Sequence, residues 1–166
     1  MIFKGQLPTL KAGYKAPKLV NHLGETGHWD FPEQLGQGAG FIYVIYDNYM
    51  NRAYLGKKQF KGMGKLNRGV ESNWKKYTSS SKVLNLLIKE RDRSEFEFIA
   101  IEQYNAKGAL SYAETWSLCL VEAPTTDNWY NTLIEKVSWP VREQVTARHK
   151  ERLAHIIERV HKENRK

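Results

Sequence analysis

The sequence predicts an α+β domain whose elements follow the order β-β-α-β-α. Three segments are rich in β-branched and aromatic residues and have the length of strands, and two longer segments carry apolar residues at helical spacing. Of the 166 residues, 41% are hydrophobic and 12% are aromatic, which is enough apolar material for one sizeable core. We therefore expect one folded domain with an appendage at one or both ends.

The first two strands are predicted at 40–47 and 52–58, where a short turn joins them into a β-hairpin. Before the hairpin, the glycine-rich segment 36–40 is typical of a linker, and residues 1–38 predict an irregular arm. After it, residues 59–69 are rich in lysine and glycine. That composition indicates a mobile basic loop that could approach phosphate groups.

The second half of the core alternates helices with a strand. A helix is predicted within 79–92, because serine hydroxyls precede apolar residues at helical spacing. A third strand is predicted at 94–104, and a second helix at 109–123, which Pro124 would end. We expect Cys119 to be a small buried residue of this helix.

Residues 140–166 predict a basic amphipathic helix. Its apolar stripe consists of Leu153, Ile156, Ile157 and Val160. Such a helix could lie on DNA, pair with a partner helix or cover the core, and the sequence favours none of the three. The expected organisation is thus an arm over 1–38, a core domain over 39–139 and this terminal helix.

The charge of the chain favours a polyanionic partner. A formal net charge of +8 and a pI near 9.5 point to nucleic acid first and to an anionic membrane surface second, although a merely well-solubilised basic protein fits equally. The single cysteine excludes a disulfide framework or a thiolate zinc site within one chain and favours a reducing, intracellular setting. We see neither a signal peptide nor an apolar run long enough to span a bilayer.

Two short motifs lie on the hairpin strands, FIY at 41–43 and YLG at 54–56, with ten residues between their tyrosines. They resemble the two half-motifs that name the GIY-YIG nucleases. Further matches follow in the family's order: Lys57 directly after the second motif, Glu114 in the second predicted helix and Asn131 in the loop beyond it. Either half-motif alone would be explained as the core of a hairpin, and the combination makes the resemblance more specific.

Neither half-motif is perfect. Gly40 precedes Phe41, so the first reads GFIY, and Leu55 takes the place of the isoleucine in the second. Both changes keep apolar character. The sequence within 56–82 also resembles the phage-borne, homing-type (Seg-like) branch of the family, and the whole resemblance covers residues 40–139.

The resemblance implies a three-stranded antiparallel sheet flanked by helices, and a metal-dependent DNA endonuclease. Glu114 would be the metal ligand for Mg²⁺ or Mn²⁺; one carboxylate can suffice because Mg²⁺ retains several waters. Tyr54 would orient or deprotonate the attacking water, with Tyr43 as its hydrogen-bonding neighbour. A phenol has an ordinary pKa near 10, so a lysine or a metal-bound water must favour the phenolate, and Lys57 is placed to help.

The family usually carries a phosphate-binding arginine on its first helix, and this chain departs from that pattern. Tyr77 matches the residue expected one turn after the arginine, but the arginine's position holds Asn73, so Lys75 is our candidate for the phosphate-binding role. Asn131 would position the metal-binding groups, or would simply form a turn. Further candidates for contact with DNA are Lys58, Lys61, Lys65, Arg68, Trp74 and Lys76.

The missing arginine supports a different function, that of a catalytically silent nucleic-acid-binding module with the same fold. An RNA-binding or protein-binding adaptor would explain the charge but not the shared tyrosine, glutamate and asparagine positions. For the nuclease, a single site cuts one strand, and cutting both requires a homodimer or two sequential nicks. The resemblance implies a phage or mobile-element origin and a place in the host cytoplasm.

Overall fold

A computed structural model describes residues 26–135, 141 and 143–162. Most of the predicted arm, the end of the terminal helix and the segment before it lie outside these residues. Within the described part of the chain, no helix is long and apolar enough to cross a membrane.

The sheet has three antiparallel strands: β1 (Gly40–Asp47), β2 (Arg52–Gln59) and β3 (Phe96–Tyr104), in the spatial order β2-β1-β3. The central strand β1 is buried along its whole length, which explains why its sequence is apolar on both faces. The predicted α+β fold and its antiparallel sheet are confirmed.

Within the described residues, three α-helices cover the sheet: α1 (Lys82–Glu90), α2 (Lys107–Leu120) and α3 (Ala147–Lys162). One core cluster joins one face of the sheet to α2 and α3, and a second joins the other face to α1. The helix α1 begins where the serine pattern predicts, since the side chain of Ser81 accepts a hydrogen bond from the amide of Leu84. The helix α2 ends at Leu120, three residues before the predicted end, and Cys119 is exposed on it, which corrects the expectation that this cysteine is buried.

The described end of the predicted arm, from residue 26 onwards, packs on the sheet. Trp29, Phe31 and Leu35 are buried in the same cluster as α1. The backbone of Asp30 pairs with β3: its amide donates to the carbonyl of Phe98, and its carbonyl accepts from the amide of Ala100. This segment contributes to the core although its backbone is irregular.

The terminal helix α3 covers the core, which is one of the three roles left open by the sequence. It begins at Ala147, later than the predicted start at 140, and its whole predicted apolar stripe is buried: Leu153, Ile156, Ile157 and Val160. Arg152 also donates hydrogen bonds from this helix to the carbonyl of Ala100 at 2.6 and 3.1 Å. The stripe therefore has its partner within the chain.

The lysine-rich loop after β2 has a defined conformation in the structure, and its expected mobility stays a prediction. Residues 61–71, called the finger below, double back on themselves through bridges between Lys61 and Glu71 and between Gly62 and Arg68. Asn67 organises the tip, because its side-chain oxygen accepts from the amide of Gly64 and its own carbonyl accepts from the amide of Val70. The finger is thus a small, closed hairpin-like turn.

A buried carboxylate joins three parts of the fold. Asp47 ends β1, and its oxygens accept two hydrogen bonds from the guanidinium of Arg91, at 2.7 and 2.8 Å, just after α1. The same carboxylate accepts from the Tyr130 hydroxyl at 2.7 Å and from the amides of Tyr49 and Met50 in the hairpin turn. Burial alone would raise the pKa of Asp47, but these hydrogen bonds outweigh it and lower the pKa.

A buried histidine connects α3 to β3 and α2. The imidazole of His149 lies 2.9 Å from the Tyr104 hydroxyl at Nδ1 and 2.6 Å from the Ser117 Oγ at Nε2. Because the Ser117 hydroxyl donates to the carbonyl of Ala113, the neutral imidazole donates through Nε2 and accepts at Nδ1. In this neutral form both ring nitrogens are satisfied.

We expect His149 to make the stability of the fold depend on pH. Burial lowers the pKa of His149 from 6.5 to about 3. Below pH 6.5 the imidazole is therefore protonated in the unfolded chain but stays neutral in the folded chain. The stabilisation of the folded state by the neutral imidazole is complete above pH 6.5 and is lost towards pH 3, at about 1.4 kcal/mol per pH unit. The variant His149→Gln lacks this pH-dependent loss. The difference in free energy of unfolding between wild type and variant therefore narrows as the pH falls.

Urea unfolding at several pH values between 7 and 4 measures this gap. A gap that stays constant from pH 6 to pH 4 would contradict the assignment. Measurements above pH 7, where the imidazole is neutral in both states, provide the control, because there the gap is expected to be constant.

Candidate functional site

A cleft of about 600 Å³ opens along the outer edge of β2. The start of α1 lines one side of it and α2 lines the other, while residues 130–135 run along the strand edge. Tyr54 from β2 and Glu114 from α2 both face this space. The two central residues of the predicted site are therefore brought together.

The edge of β2 is closed by hydrogen bonds at alternate residues. The amide and carbonyl of Ala53 pair with Asn128 and Tyr130. Those of Leu55 pair with the side chain of Asn131, whose Oδ1 accepts at 2.9 Å and whose Nδ2 donates at 2.7 Å. The side-chain amide of Asn131 thus pairs with β2 as the backbone of a neighbouring strand would, and it holds the edge beside the cleft.

The glycine of the YLG motif makes room for the tyrosine of the FIY motif. Tyr43 and Gly56 are direct partners across β1 and β2, and a Cβ at Gly56 would lie only 2.5 Å from the Tyr43 hydroxyl oxygen. The phenol therefore lies over the glycine, where any side chain would displace it. This contact links the two half-motifs.

Four hydroxyl groups form a cluster at the floor of the cleft: Tyr43, Tyr54, Tyr77 and Ser80. The Tyr54 hydroxyl is 2.8 Å from the Ser80 Oγ, and Tyr43 is hydrogen-bonded to Tyr77. The rings of Tyr54 and Tyr77 lie 6.2 and 6.0 Å from that of Tyr43, which is itself almost fully buried. Tyr54 and Ser80 face the cleft, with Tyr43 packed behind them.

All three phenols are stabilised in the neutral form. Burial is the main cause and raises the pKa of Tyr43, Tyr54 and Tyr77; for Tyr54 the hydrogen bond from Ser80 opposes it only in part. The expectation that Lys57 favours a phenolate is not supported, because its ammonium group pairs with carboxylates instead. Lys58 lies over the face of the Tyr77 ring at 4.1 Å, and so packs beside the cluster.

Glu114 is held in place by the residue that follows the YLG motif. Its Oε1 lies 3.3 Å from the Lys57 ammonium, which also contacts Glu135 at 3.4 Å and the Ser111 hydroxyl at 3.3 Å. The backbone amide of Lys57 donates to the same carboxylate. Burial raises the pKa of Glu114 although Lys57 lowers it, so its proton is lost at a higher pH than that of an exposed glutamate.

Two cations that the sequence analysis overlooked line the cleft. Arg52 lies 4.1 Å over the Tyr130 ring and donates to the carbonyl of Trp129, and Lys82 is exposed at the first position of α1. Neither forms an ion pair with an acid within the described residues. A signal existed for Arg52, since it precedes Tyr54 by two residues on a strand and must share its face.

The predicted phosphate-binding residue, Lys75, lies elsewhere. It lines a separate cleft of about 340 Å³ beside Trp74, and its ammonium is 3.9 Å from Glu71. Trp74 is only 4% exposed and packs on Phe60 and Phe41, so it would have to leave the core to stack on a base. The remaining predicted DNA contacts are exposed: Lys61, Lys65, Arg68 and Lys76.

The donor set of the cleft fits a hard cation held by few protein groups. No group of three or more histidine, cysteine, aspartate or glutamate side chains gathers within the described residues, so an all-protein metal cage is not formed there. Glu114 supplies one carboxylate beside open space, which suits Mg²⁺ or Mn²⁺ that completes its shell with water and substrate phosphate oxygens. His149 is occupied by hydrogen bonds in the core.

A family model described as "Putative endonuclease segE, GIY-YIG domain" matches residues 26–134. The chain belongs to this GIY-YIG family. The resemblance read from the sequence is thereby confirmed. The match begins at residue 26, so it includes the segment around Trp29, which precedes the range 40–139 in which the sequence resembles the family. No curated protein and no solved structure matches the chain.

Membership of the GIY-YIG family gives the geometry its context. GIY-YIG nucleases generally depend on a divalent metal ion, which agrees with an oxygen ligand facing an open cleft. The tyrosines of the two motifs, Tyr43 and Tyr54, belong to one hydroxyl cluster. The glycine of the second motif, Gly56, is the residue that the Tyr43 phenol covers.

We expect Gly56→Ala to disrupt the hydroxyl cluster. The added methyl group meets both the hydroxyl oxygen and the ring of Tyr43, within 2.5–3.1 Å, so the phenol must move, at a cost of about 1–3 kcal/mol. Chemical denaturation measures this loss of stability. Gly69→Asn serves as the control, because nothing lies within 4 Å of its Cβ and asparagine tolerates positive φ; equal losses in both variants would contradict the assignment.

Proposed function

We propose that the chain is an endonuclease that hydrolyses phosphodiester bonds of DNA with Mg²⁺ or Mn²⁺. The observation that carries this proposal is the content of one cleft: the Glu114 carboxylate, the Tyr54 hydroxyl and two cations without acid partners among the described residues. Hydrolysis of a phosphodiester needs a metal ligand, an oriented water and positive charge at the phosphate. Each requirement has a candidate residue there.

Glu114 is the proposed metal ligand. When bound, the cation would neutralise charge on the phosphate oxygens and make water more acidic. The Lys57 amide and ammonium hold the carboxylate towards β2, so its orientation is fixed before substrate arrives. Asn131 contributes indirectly, because it holds the edge strand from which the Lys57 amide points.

Tyr54 is the proposed water-orienting residue. Its hydroxyl faces the cleft and is fixed by Ser80, so it can accept a hydrogen bond from a water beside the scissile phosphate. The raised pKa of Tyr54 argues that the phenol acts first through hydrogen bonding, and that it gains a proton-accepting role only when further positive charge enters the cleft. Tyr43 and Tyr77 keep this hydroxyl in place from behind.

Arg52 and Lys82 are the proposed phosphate-binding residues in place of Lys75. Lys82 extends from the first turn of α1, where unpaired backbone amides also favour an anion. The guanidinium of Arg52 lies 4.1 Å over the Tyr130 ring and uses one terminal nitrogen for the Trp129 carbonyl, so its other terminal nitrogen is the one proposed to donate to phosphate oxygens. Together they would supply the charge that the family takes from its helix arginine.

The Seg-like resemblance further supports a phage or mobile-element nuclease that works in the host cytoplasm. One cleft cuts one strand, so double-strand cleavage requires either a homodimer or sequential nicking. The competing function is a silent DNA-binding module, which would keep the basic surface without using Glu114.

The test of hydrolysis is the conversion of supercoiled plasmid with Mg²⁺ or Mn²⁺, with EDTA as a blank. We expect Glu114→Gln to slow nicking at least about a hundredfold while DNA binding persists, because the variant loses charge but not shape. Glu135→Gln is the matched control: it removes the other, exposed carboxylate paired with Lys57 and should retain cleavage. Equal nicking by wild type and Glu114→Gln would remove Glu114 from the proposed site, whereas binding without any metal-dependent nicking, on the native genome as well, would favour the silent module.

A second experiment addresses the phosphate-binding residues. We expect Arg52→Ala and Lys82→Ala each to lower the single-turnover cleavage rate about tenfold or more, because each removes a charge-assisted contact to phosphate. Lys75→Ala, whose side chain lies in the other cleft, should change this rate less than about twofold, on the scale of a surface cation. The reverse ranking would return the role to Lys75; thermal unfolding checks that the variants are folded.

A further inference from the structure

The finger ends in a fully exposed leucine. Leu66 is 102% exposed and Val70 is 60% exposed, although the backbone around them is fixed by bridges and by Asn67. A Cβ at Gly62 would meet the Asn67 carbonyl at 2.2 Å, so the tip closes tightly with the asparagine inside and the leucine outside. The fold thus holds an apolar side chain away from every other part of the described chain.

The finger surrounds this leucine with positive charge. Lys61, Lys65 and Arg68 are exposed, and none of them forms an ion pair within the described residues. The one acidic residue, Glu71, stands at the base of the finger. An apolar tip flanked by cations is complementary to a duplex, whose phosphates attract the charges and whose base steps can admit an apolar wedge.

The base of the finger is anchored in the core. Phe60 and Trp74, on either side of it, pack with ring centres 5.1 Å apart. Ser72 closes the base, because its hydroxyl donates to the Gln59 carbonyl at 2.6 Å and its amide donates to the Phe60 carbonyl at 2.8 Å. The tip is therefore attached directly to the packed core.

The finger also grows from the site. Its first half continues β2, which carries Tyr54, and its second half leads directly to Tyr77 of the hydroxyl cluster. Eleven residues lie between Tyr54 and Leu66, so even at full extension the tip is at most about 40 Å from the site. The tip would therefore meet the duplex within little more than one helical turn, about 34–36 Å, of the site.

We propose that Leu66 inserts as a wedge between base pairs of the duplex held in the cleft and bends it, while Lys65 and Arg68 bind the flanking phosphates. The inference rests on the proposed DNA substrate. Insertion from the minor groove unstacks a base step and costs least at flexible pyrimidine–purine steps. The finger would therefore select cleavage positions by the deformability of neighbouring DNA and not by base-specific hydrogen bonds.

The test measures bending in the Glu114→Gln protein, so that no DNA is cut. A duplex of about 30 base pairs carries dyes at its two ends and 2-aminopurine at a central TA step. Binding is expected to raise energy transfer and 2-aminopurine fluorescence. Leu66→Ala should lose most of both changes and bind about fivefold more weakly, whereas Leu66→Phe, which retains an apolar wedge, should restore them.

Two comparisons separate the wedge from the charge. Leu86→Ala removes another exposed leucine, 53% exposed on α1, and should bend DNA like the parent. Replacing Lys65 and Arg68 together by alanine should reduce the slope of log affinity against log salt by about 2, whereas Leu66→Ala should leave this slope unchanged.

Full bending by Leu66→Ala would overturn the proposal. It would also be overturned if Leu66→Ala lost binding to phosphatidylserine vesicles while its DNA bending stayed intact, since the finger would then be a membrane contact. The bending and binding measurements do not need catalysis. If the wild type leaves plasmid uncut, that result contradicts the proposed hydrolysis but not the wedge. Conversely, normal metal-dependent nicking together with unbent DNA would reject the wedge alone.

Discussion

The Asp47 carboxylate is fully buried, yet it is bonded to the hairpin turn, to Arg91 behind α1 and to the Tyr130 hydroxyl. Removing one partner of such a buried pair typically costs about 3–5 kcal/mol, because a charge is left without compensation. Through Arg91, the Asp47 carboxylate fixes one end of α1, and the other end of this helix places Lys82 in the cleft. It also fixes Tyr130, against which Arg52 lies. The cleft is therefore shaped by a carboxylate that does not face it.

The elements that local pattern defines could be predicted from the sequence. The hairpin strands, α1 and the third strand follow from alternation, turn residues and a serine cap, all of which act over a few residues. Tyr43 and Tyr54 could be placed together because antiparallel neighbours on adjacent strands share a face. Glu114 was recognised from its order in the chain and its helix, and it lies in the same cleft as Tyr54.

The parts that depend on irregular segments could not be predicted. The path from Gln59 to Ser81 has no period, so its residues cannot be assigned to a surface by counting; Lys75 therefore seemed nearer to the site than it is. Trp74 looked like a base-stacking residue beside lysines, but it closes the core under the finger. The contribution of Trp29 was hidden for the same reason, because an irregular segment can bury aromatics without any repeating pattern.

Both outer edges of the sheet are already occupied by the chain itself. Along β2, the outward groups of Ala53 and Leu55 bond to residues 128–131, and the amide of Lys57 bonds to Glu114. Along β3, the backbone of Asp30 bonds to the Phe98 carbonyl and the Ala100 amide, and the side chain of Arg152 donates to the Ala100 carbonyl. At these positions a second copy finds no free backbone row to extend the sheet by strand addition, which also protects against aggregation. Two copies acting on opposite strands of a duplex would therefore meet through side chains, or be held together by the DNA that both of them grip.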